Sequence, residues 1–196
     1  MQRRTLLAAA CSLLGSVLVA AAPSARPAHQ DGVLAEPVEP VVVFLVRHAE
    51  KGDDDARDPG LSAAGERRAN ELARVLGSAG VTHLFASEYK RTQNTLRPLA
   101  DAVGHEVEVV SARTPEKQLA AIADLPPGSV AVICGHSNTT PQLAARLVDP
   151  TGSDAANLGE DEYDRLFEVV LPARSRVESS TRLAPKLVEL RYGAGE

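Results

Sequence analysis

Apolar and polar positions alternate along this chain in two rhythms. Val41 to Val46 is an unbroken apolar run rich in Val, which predicts a strand buried on both faces of a parallel sheet and leads straight into Arg47-His48. A polar loop with Gly52, Asp53 to Asp55, Pro59 and Gly60 follows. Ser62 then opens a helical stretch with Leu61, Ala69, Leu72, Ala73 and Leu76 near one face, closed by Gly77 and Gly80. The rhythm repeats with a strand over Val81 to Ala86 and a helix over Glu88 to Val103, stopped by Gly104. Glu106 to Val110 alternates as an edge strand would. A helix over Pro115 to Leu125, a turn at Pro126-Pro127-Gly128, a buried strand over Val130 to Cys134 and a helix over Thr139 to Val148 complete the series. This predicts an α/β fold, a mostly parallel sheet with helices on both faces. Leu166 to Leu171 and Lys186 to Arg191 read as late or edge strands, open to antiparallel pairing, with no full helix between them.

The N-terminus breaks the pattern. Arg3 and Arg4 precede an uncharged apolar run from Leu6 to Ala22, followed by Pro23, Ser24 and Ala25, which predicts a signal peptide over 1–22 with cleavage between Ala20 and Ala28. A retained membrane anchor is the alternative, though the run is short and rich in Ala. Arg3-Arg4 faintly resembles a twin-arginine signal, and Cys11 lies too early in the run for a lipidated cysteine. Residues 23–40, rich in Pro and Ala, read as an extended tether, leaving 41–196 as one catalytic domain. The expected location is therefore exported, periplasmic or extracellular.

Composition narrows the classes. With 196 residues, 44% of them apolar, the chain can build one core, and aromatics at 3% leave that core to Val, Leu, Ile and Ala. The 21 basic residues fall to 18 once Arg3, Arg4 and Arg26 leave with the leader; against 26 acidic residues the balance is 18 − 26 = −8. Such a surface argues against a nucleic-acid partner, and no membrane contact is expected after leader cleavage. Only Cys134 then remains, inside an apolar run, so no internal disulfide is available.

Ligands of an open sheet of this kind bind beyond the carboxyl ends of its strands. Arg47-His48, Ser87 to Arg91 and Gly135-His136-Ser137 all fall at such ends and should meet on one rim. Singly, a His or an Arg is more often a solvated or core residue. Two of each at one rim would repel one another unless an anion completes them, and phosphate matches the guanidinium fork.

These segments carry a resemblance. Val46-Arg47-His48-Ala49-Glu50-Lys51, Leu61-Ser62-Ala63-Ala64-Gly65, Ser87 to Thr95 with Arg91 at its centre, and Gly135-His136-Ser137-Asn138-Thr139 follow one another as in the histidine phosphatase superfamily, also called phosphoglycerate mutase-like. The sequence resembles that family from Val41 to about Val148. The resemblance implies that His48 attacks phosphorus and becomes a phosphohistidine that water hydrolyses, while Arg47, Arg91 and His136 hold the phosphoryl oxygens. Ser137, and more weakly Glu50, are expected to add substrate contacts. Two departures stand out: Ala49-Glu50-Lys51 replaces the Gly, Thr or Ser, and Asn of mutase-type members, and the segment where the family draws its acidic proton donor is short. Glu116 is the expected acid, with Glu50 as a second candidate that Arg47 and Lys51 would keep ionised.

The resulting expectation is an exported phosphomonoesterase of the histidine acid-type, acting on a small phosphomonoester or a phosphoprotein. A phosphomutase and a non-catalytic phosphate-binding protein are the alternatives. No cofactor and no metal are expected. Asp53 to Asp55 read as a solvated loop, and Arg47 with Arg91 would oppose a cation beside His48, His136 and Glu50. Ser62, Gly65 and Thr95 read as helix-start and packing residues, and His83 and His105 as incidental.

Overall fold

The computed structural model describes residues 39–151, 155–173 and 183–193. The leader expected over 1–22, Cys11 and nearly all of the tether lie outside the described residues. Among those described, no helix is long and apolar enough to cross a membrane.

Six strands form one sheet: β1 (Val41–Arg47), β2 (His83–Ala86), β3 (Val107–Val109), β4 (Val130–Gly135), β5 (Arg165–Leu171) and β6 (Lys186–Arg191), in the order β3-β2-β4-β1-β5-β6. The first four are parallel to one another; β5 runs antiparallel to β1 and β6 antiparallel to β5. The late strands are thus antiparallel, as their lack of a connecting helix suggested. Of these two late strands, however, only β6 is an edge. β5 lies inside the sheet against β1, where Leu166, Phe167 and Val169 are buried.

Four helices cover the sheet: α1 (Ala63–Leu76), α2 (Lys90–Val103), α3 (Pro115–Ala123) and α4 (Thr139–Val148). The period of two along β1 sorts its side chains between two cores. Val46 faces Leu72 and Leu76 of α1 and Leu96 and Leu99 of α2. Val43 and Leu45 face Ile122 of α3 and Leu143 and Ala144 of α4. Leu45, Val46, Val132 and Leu72 are wholly buried, so β1 and β4 have solvent on neither face. Ser62 caps α1 by accepting from the Gly65 amide at 3.2 Å, and Gly104 closes α2 at a φ of 73°.

Register sets the rim. Arg47 pairs with Gly135 and Ala86 with Cys134, so parallel β1, β2 and β4 end together and deliver Arg47-His48, Ser87 and Gly135-His136 to one place. Gly65 allows α1 to touch the chain after β1. A Cβ there would run into the Glu50 carbonyl oxygen and come within 3.0 Å of the Glu50 amide nitrogen. Thr95, fully buried on α2, accepts from the Ala49 amide at 2.9 Å and holds the residue next to His48.

Candidate active site

His48 sits at the floor of a cavity of about 360 Å³, 4% exposed. Its Nδ1 is 2.8 Å from the Ala49 carbonyl oxygen. A carbonyl can only accept, so Nδ1 carries the proton and Nε2 keeps its lone pair. Its own amide donates to the Gly135 carbonyl at 2.9 Å, tying the end of β1 to the end of β4. Burial pushes the imidazole pKa down to about 3, reinforced by the charges of Arg91, His136 and Arg47 and opposed by the bond to Ala49. The ring is therefore neutral across the physiological range.

His136 follows β4, and its ring centroid is 5.4 Å from that of His48. A chain of hydroxyls fixes its tautomer. Thr92 Oγ1 lies 2.7 Å from the Tyr89 carbonyl and 3.1 Å from that of Ser87, both pure acceptors, so its proton is committed there. The Ser87 hydroxyl, 2.8 Å away, donates to Thr92 and is left as acceptor for His136 Nε2 at 2.9 Å. His136 thus carries its proton on Nε2, and any second proton goes to Nδ1. Burial lowers its pKa to about 4, with Arg91 and Arg47 adding to the shift and Glu88 opposing it. The amide of His136 donates to Thr139 Oγ1 at 3.0 Å, drawing the N-terminus of α4 to the cavity. Gly135 permits that approach, since a Cβ there would meet the Thr139 and Thr140 hydroxyls at 2.8 and 2.9 Å.

The two guanidinium groups flank these rings. Arg47 is 2% exposed; its Nη1 donates to the carbonyls of Gly159 at 2.5 Å and Glu162 at 3.3 Å, and it stacks 4.1 Å from the Tyr163 ring centroid. Arg91 stacks 4.4 Å from Tyr89 and is held by Asp58 at 3.7 Å. The Nε atoms of both are buried and have no hydrogen-bond partner among the described residues. Two cations with unpaired donors beside two neutral imidazoles make a site that favours an anion. No group of His, Cys, Asp or Glu among the described residues is arranged to hold a metal.

Arg47, His48, Arg91, His136 and Ser137, named from the sequence, all line this cavity. The two expected carboxylates are not brought to it. Glu116, in the first turn of α3, lies outward, its side chain 74% exposed and paired at 3.6 Å with Arg146 of α4. Glu50 gives both oxygens to Arg68 of α1, at 2.7 to 3.0 Å, and so fastens the loop after β1 to that helix. Neither Arg47 nor Lys51 is its partner. Residues the sequence reading passed over also line the cavity: Lys51, Tyr89, Arg113 and Glu160. Glu160 belongs to an acidic turn, Gly159 to Glu162, whose only sequence signal is a glycine and three acids ahead of β5.

Comparison with known proteins agrees with this geometry. A model of the histidine phosphatase superfamily, branch 1, matches residues 43–114, the span that carries His48 and Arg91. Over that segment the chain is similar to the histidine phosphatase superfamily. Over 71 residues it is 42% identical to a probable phosphoglycerate mutase, GpmB, of Yersinia enterocolitica, and 39% identical to that of an Enterobacter species. Each match spans 33% of this chain and 33% of the relative. Among solved structures, the protein histidine phosphatase SixA complexed with tungstate shares the fold with a TM-score of 0.56 at 17% identity, over 76% of this chain and 96% of that one. A mycobacterial glucosyl-3-phosphoglycerate phosphatase complexed with VO3 gives 0.52 at 16% identity, over 65% and 92%.

Proposed function

We propose that this chain is a histidine phosphatase, a phosphomonoesterase that takes the phosphoryl group of its substrate onto His48 and passes it to water. The observation that carries the reading is His48 itself: a buried imidazole whose Nδ1 is committed to Ala49, leaving the Nε2 lone pair beside two arginines and a second histidine. In the transfer, that lone pair forms the bond to phosphorus while the bond to the leaving oxygen breaks. Charge spreads over three equatorial oxygens; Arg47 and Arg91 supply donors for them, and His136 can donate only through Nδ1, once the bound anion draws a second proton onto its ring. The Nδ1–H bond to Ala49 then stabilises the positive ring of the phosphohistidine. Water releases inorganic phosphate.

Brief reaction with a labelled phosphomonoester should leave acid-labile, base-stable label on the wild-type protein and none on His48→Ala. Label retained by that variant rejects the assignment. The names of the sequence relatives favour one alternative, a phosphomutase that returns the group to a second hydroxyl. Replacement of the mutase motif by Ala49-Glu50-Lys51 speaks for hydrolysis. Product analysis separates the two, since a mutase yields an isomeric phosphate and a phosphatase free phosphate. The name of the SixA structure keeps a phosphoprotein substrate open beside a small ester. We further propose that the leader directs export and that 41–196 form the catalytic domain, supported by the charge and apolar pattern of the N-terminus. Mass spectrometry should place the mature N-terminus between Ala21 and His29; intact Met1 on cytoplasmic protein would reject export.

A further inference from the structure

Transfer from an alkyl phosphate leaves an alkoxide that needs a proton, and neither carboxylate expected from the sequence reaches the cavity. One acid does. Glu160 is the only Asp or Glu lining it among the described residues, with Oε2 3.8 Å from Arg47 Nη2.

An exposed side chain is usually a poor catalyst because it is poorly placed, and the Glu160 side chain is 91% exposed. Here the backbone carrying it is held on every side. The Glu162 amide donates to the Gly159 carbonyl at 3.2 Å, closing a β-turn with Glu160 and Asp161 at its two central positions. The Glu162 carboxylate accepts from the Gly159 amide at 2.7 Å. Arg47 Nη1 reaches both ends of the turn, the carbonyls of Gly159 and Glu162. On one flank Leu158 is buried and donates to the Ser137 carbonyl at 2.9 Å; on the other, Tyr163 lies under Arg47. The same guanidinium thus grips the turn and faces the cavity.

The vertical order suits in-line chemistry. His48, 4% exposed, is the floor, and Glu160 stands at the mouth. A phosphoryl group attacked from the floor expels its leaving oxygen toward the mouth.

We propose that Glu160 is the proton donor to the leaving oxygen and the acceptor of a proton from the hydrolytic water, which makes alkyl phosphomonoesters the substrate class. In the first step His48 Nε2 bonds to phosphorus, the phosphorus–oxygen bond breaks, and the Glu160 proton passes to the departing oxygen to give the alcohol. In the second, water bonds to phosphorus, the nitrogen–phosphorus bond breaks, and one water proton returns to Glu160 as hydrogen phosphate leaves. The inference rests on the phosphomonoesterase reading above.

The experiment compares Glu160→Gln and Glu160→Asp with wild type on an alkyl phosphate and on 4-nitrophenyl phosphate, whose leaving group needs little protonation. We expect Glu160→Gln to lower kcat/KM roughly 100-fold or more on the alkyl phosphate and only a few-fold on the nitrophenyl ester, with partial recovery in Glu160→Asp. Equal losses on both substrates, no loss, or faster turnover on both would overturn the assignment; the last would mark Glu160 as a charge that merely competes with substrate for Arg47. Wild-type protein that turns over only the nitrophenyl ester would overturn it as well. Failure of the underlying reading looks different, since wild type would then form no phosphoenzyme from either compound.

Discussion

Acid should loosen this fold through its two site histidines, by an amount the structure allows to be worked out. In the folded protein His48 has a pKa near 3, because burial and then the Arg91, His136 and Arg47 charges disfavour the imidazolium, whereas an unfolded histidine stays at 6.5. Between those values the unfolded state binds more protons, so stability falls as pH falls. At pH 8 neither state is protonated and the effect is absent. At pH 5 the unfolded histidine is protonated and the folded one is not, which costs 1.5 units at 1.36 kcal/mol each, about 2 kcal/mol. His136, lowered to about 4, adds a similar amount. Urea unfolding at pH 8 and pH 5 should therefore show a loss in wild type exceeding that in His48→Gln by about 2 kcal/mol. All other groups are common to the two proteins, so their contributions cancel in the comparison. An identical loss in both would refute the claim that the fold holds His48 neutral.

Arg91→Lys keeps a charge at the site but loses the fork and the stacking on Tyr89, so kcat/KM should fall roughly 100-fold while the urea midpoint barely moves; normal kinetics would remove Arg91 from the phosphate site. Glu116→Gln should change neither kinetics nor leaving-group preference, because Glu116 lies against Arg146 rather than in the cavity, and steady-state assays on an alkyl and a nitrophenyl ester check it. Gly65→Ala drives a methyl group into the Glu50 backbone, so it should cost roughly 3 kcal/mol, a fall in Tm of about 6–12 °C by calorimetry.

Most of the sheet and the centre of the site were legible because their causes are local. The Val-rich run at β1 can be buried on both faces only at the middle of a parallel sheet, and strand ends that coincide in register place Arg47, His48, Ser87 and His136 together. The position of β5 was not legible. Its run from Leu166 to Leu171 fits an edge or an interior strand equally, and which it is depends on β1 having one side unfilled by parallel partners. The placement of Glu116 was hidden for a related reason: the resemblance points to an acid after β3, but in this chain α3 follows β3 closely and Glu116 pairs with Arg146 of α4.

Glu160 shows why such a residue escapes sequence reasoning. Its turn reads as a solvated acidic loop, and what distinguishes it is Arg47, 112 residues before Gly159, whose guanidinium donates to the turn's carbonyls. That contact also couples the two ends of the proposed reaction. A guanidinium already bonded through Nη1 to Gly159 and Glu162 presents only its remaining donors to an anion, so its orientation is fixed by the turn. Displacing the turn would then disturb phosphate binding and proton delivery together, and displacing Arg47 would do the same. In the proposed reaction, one arginine at the end of a buried strand thereby ties the nucleophile beside it in sequence to an acid far from it in sequence, so that a small α/β domain would assemble in-line chemistry with few residues.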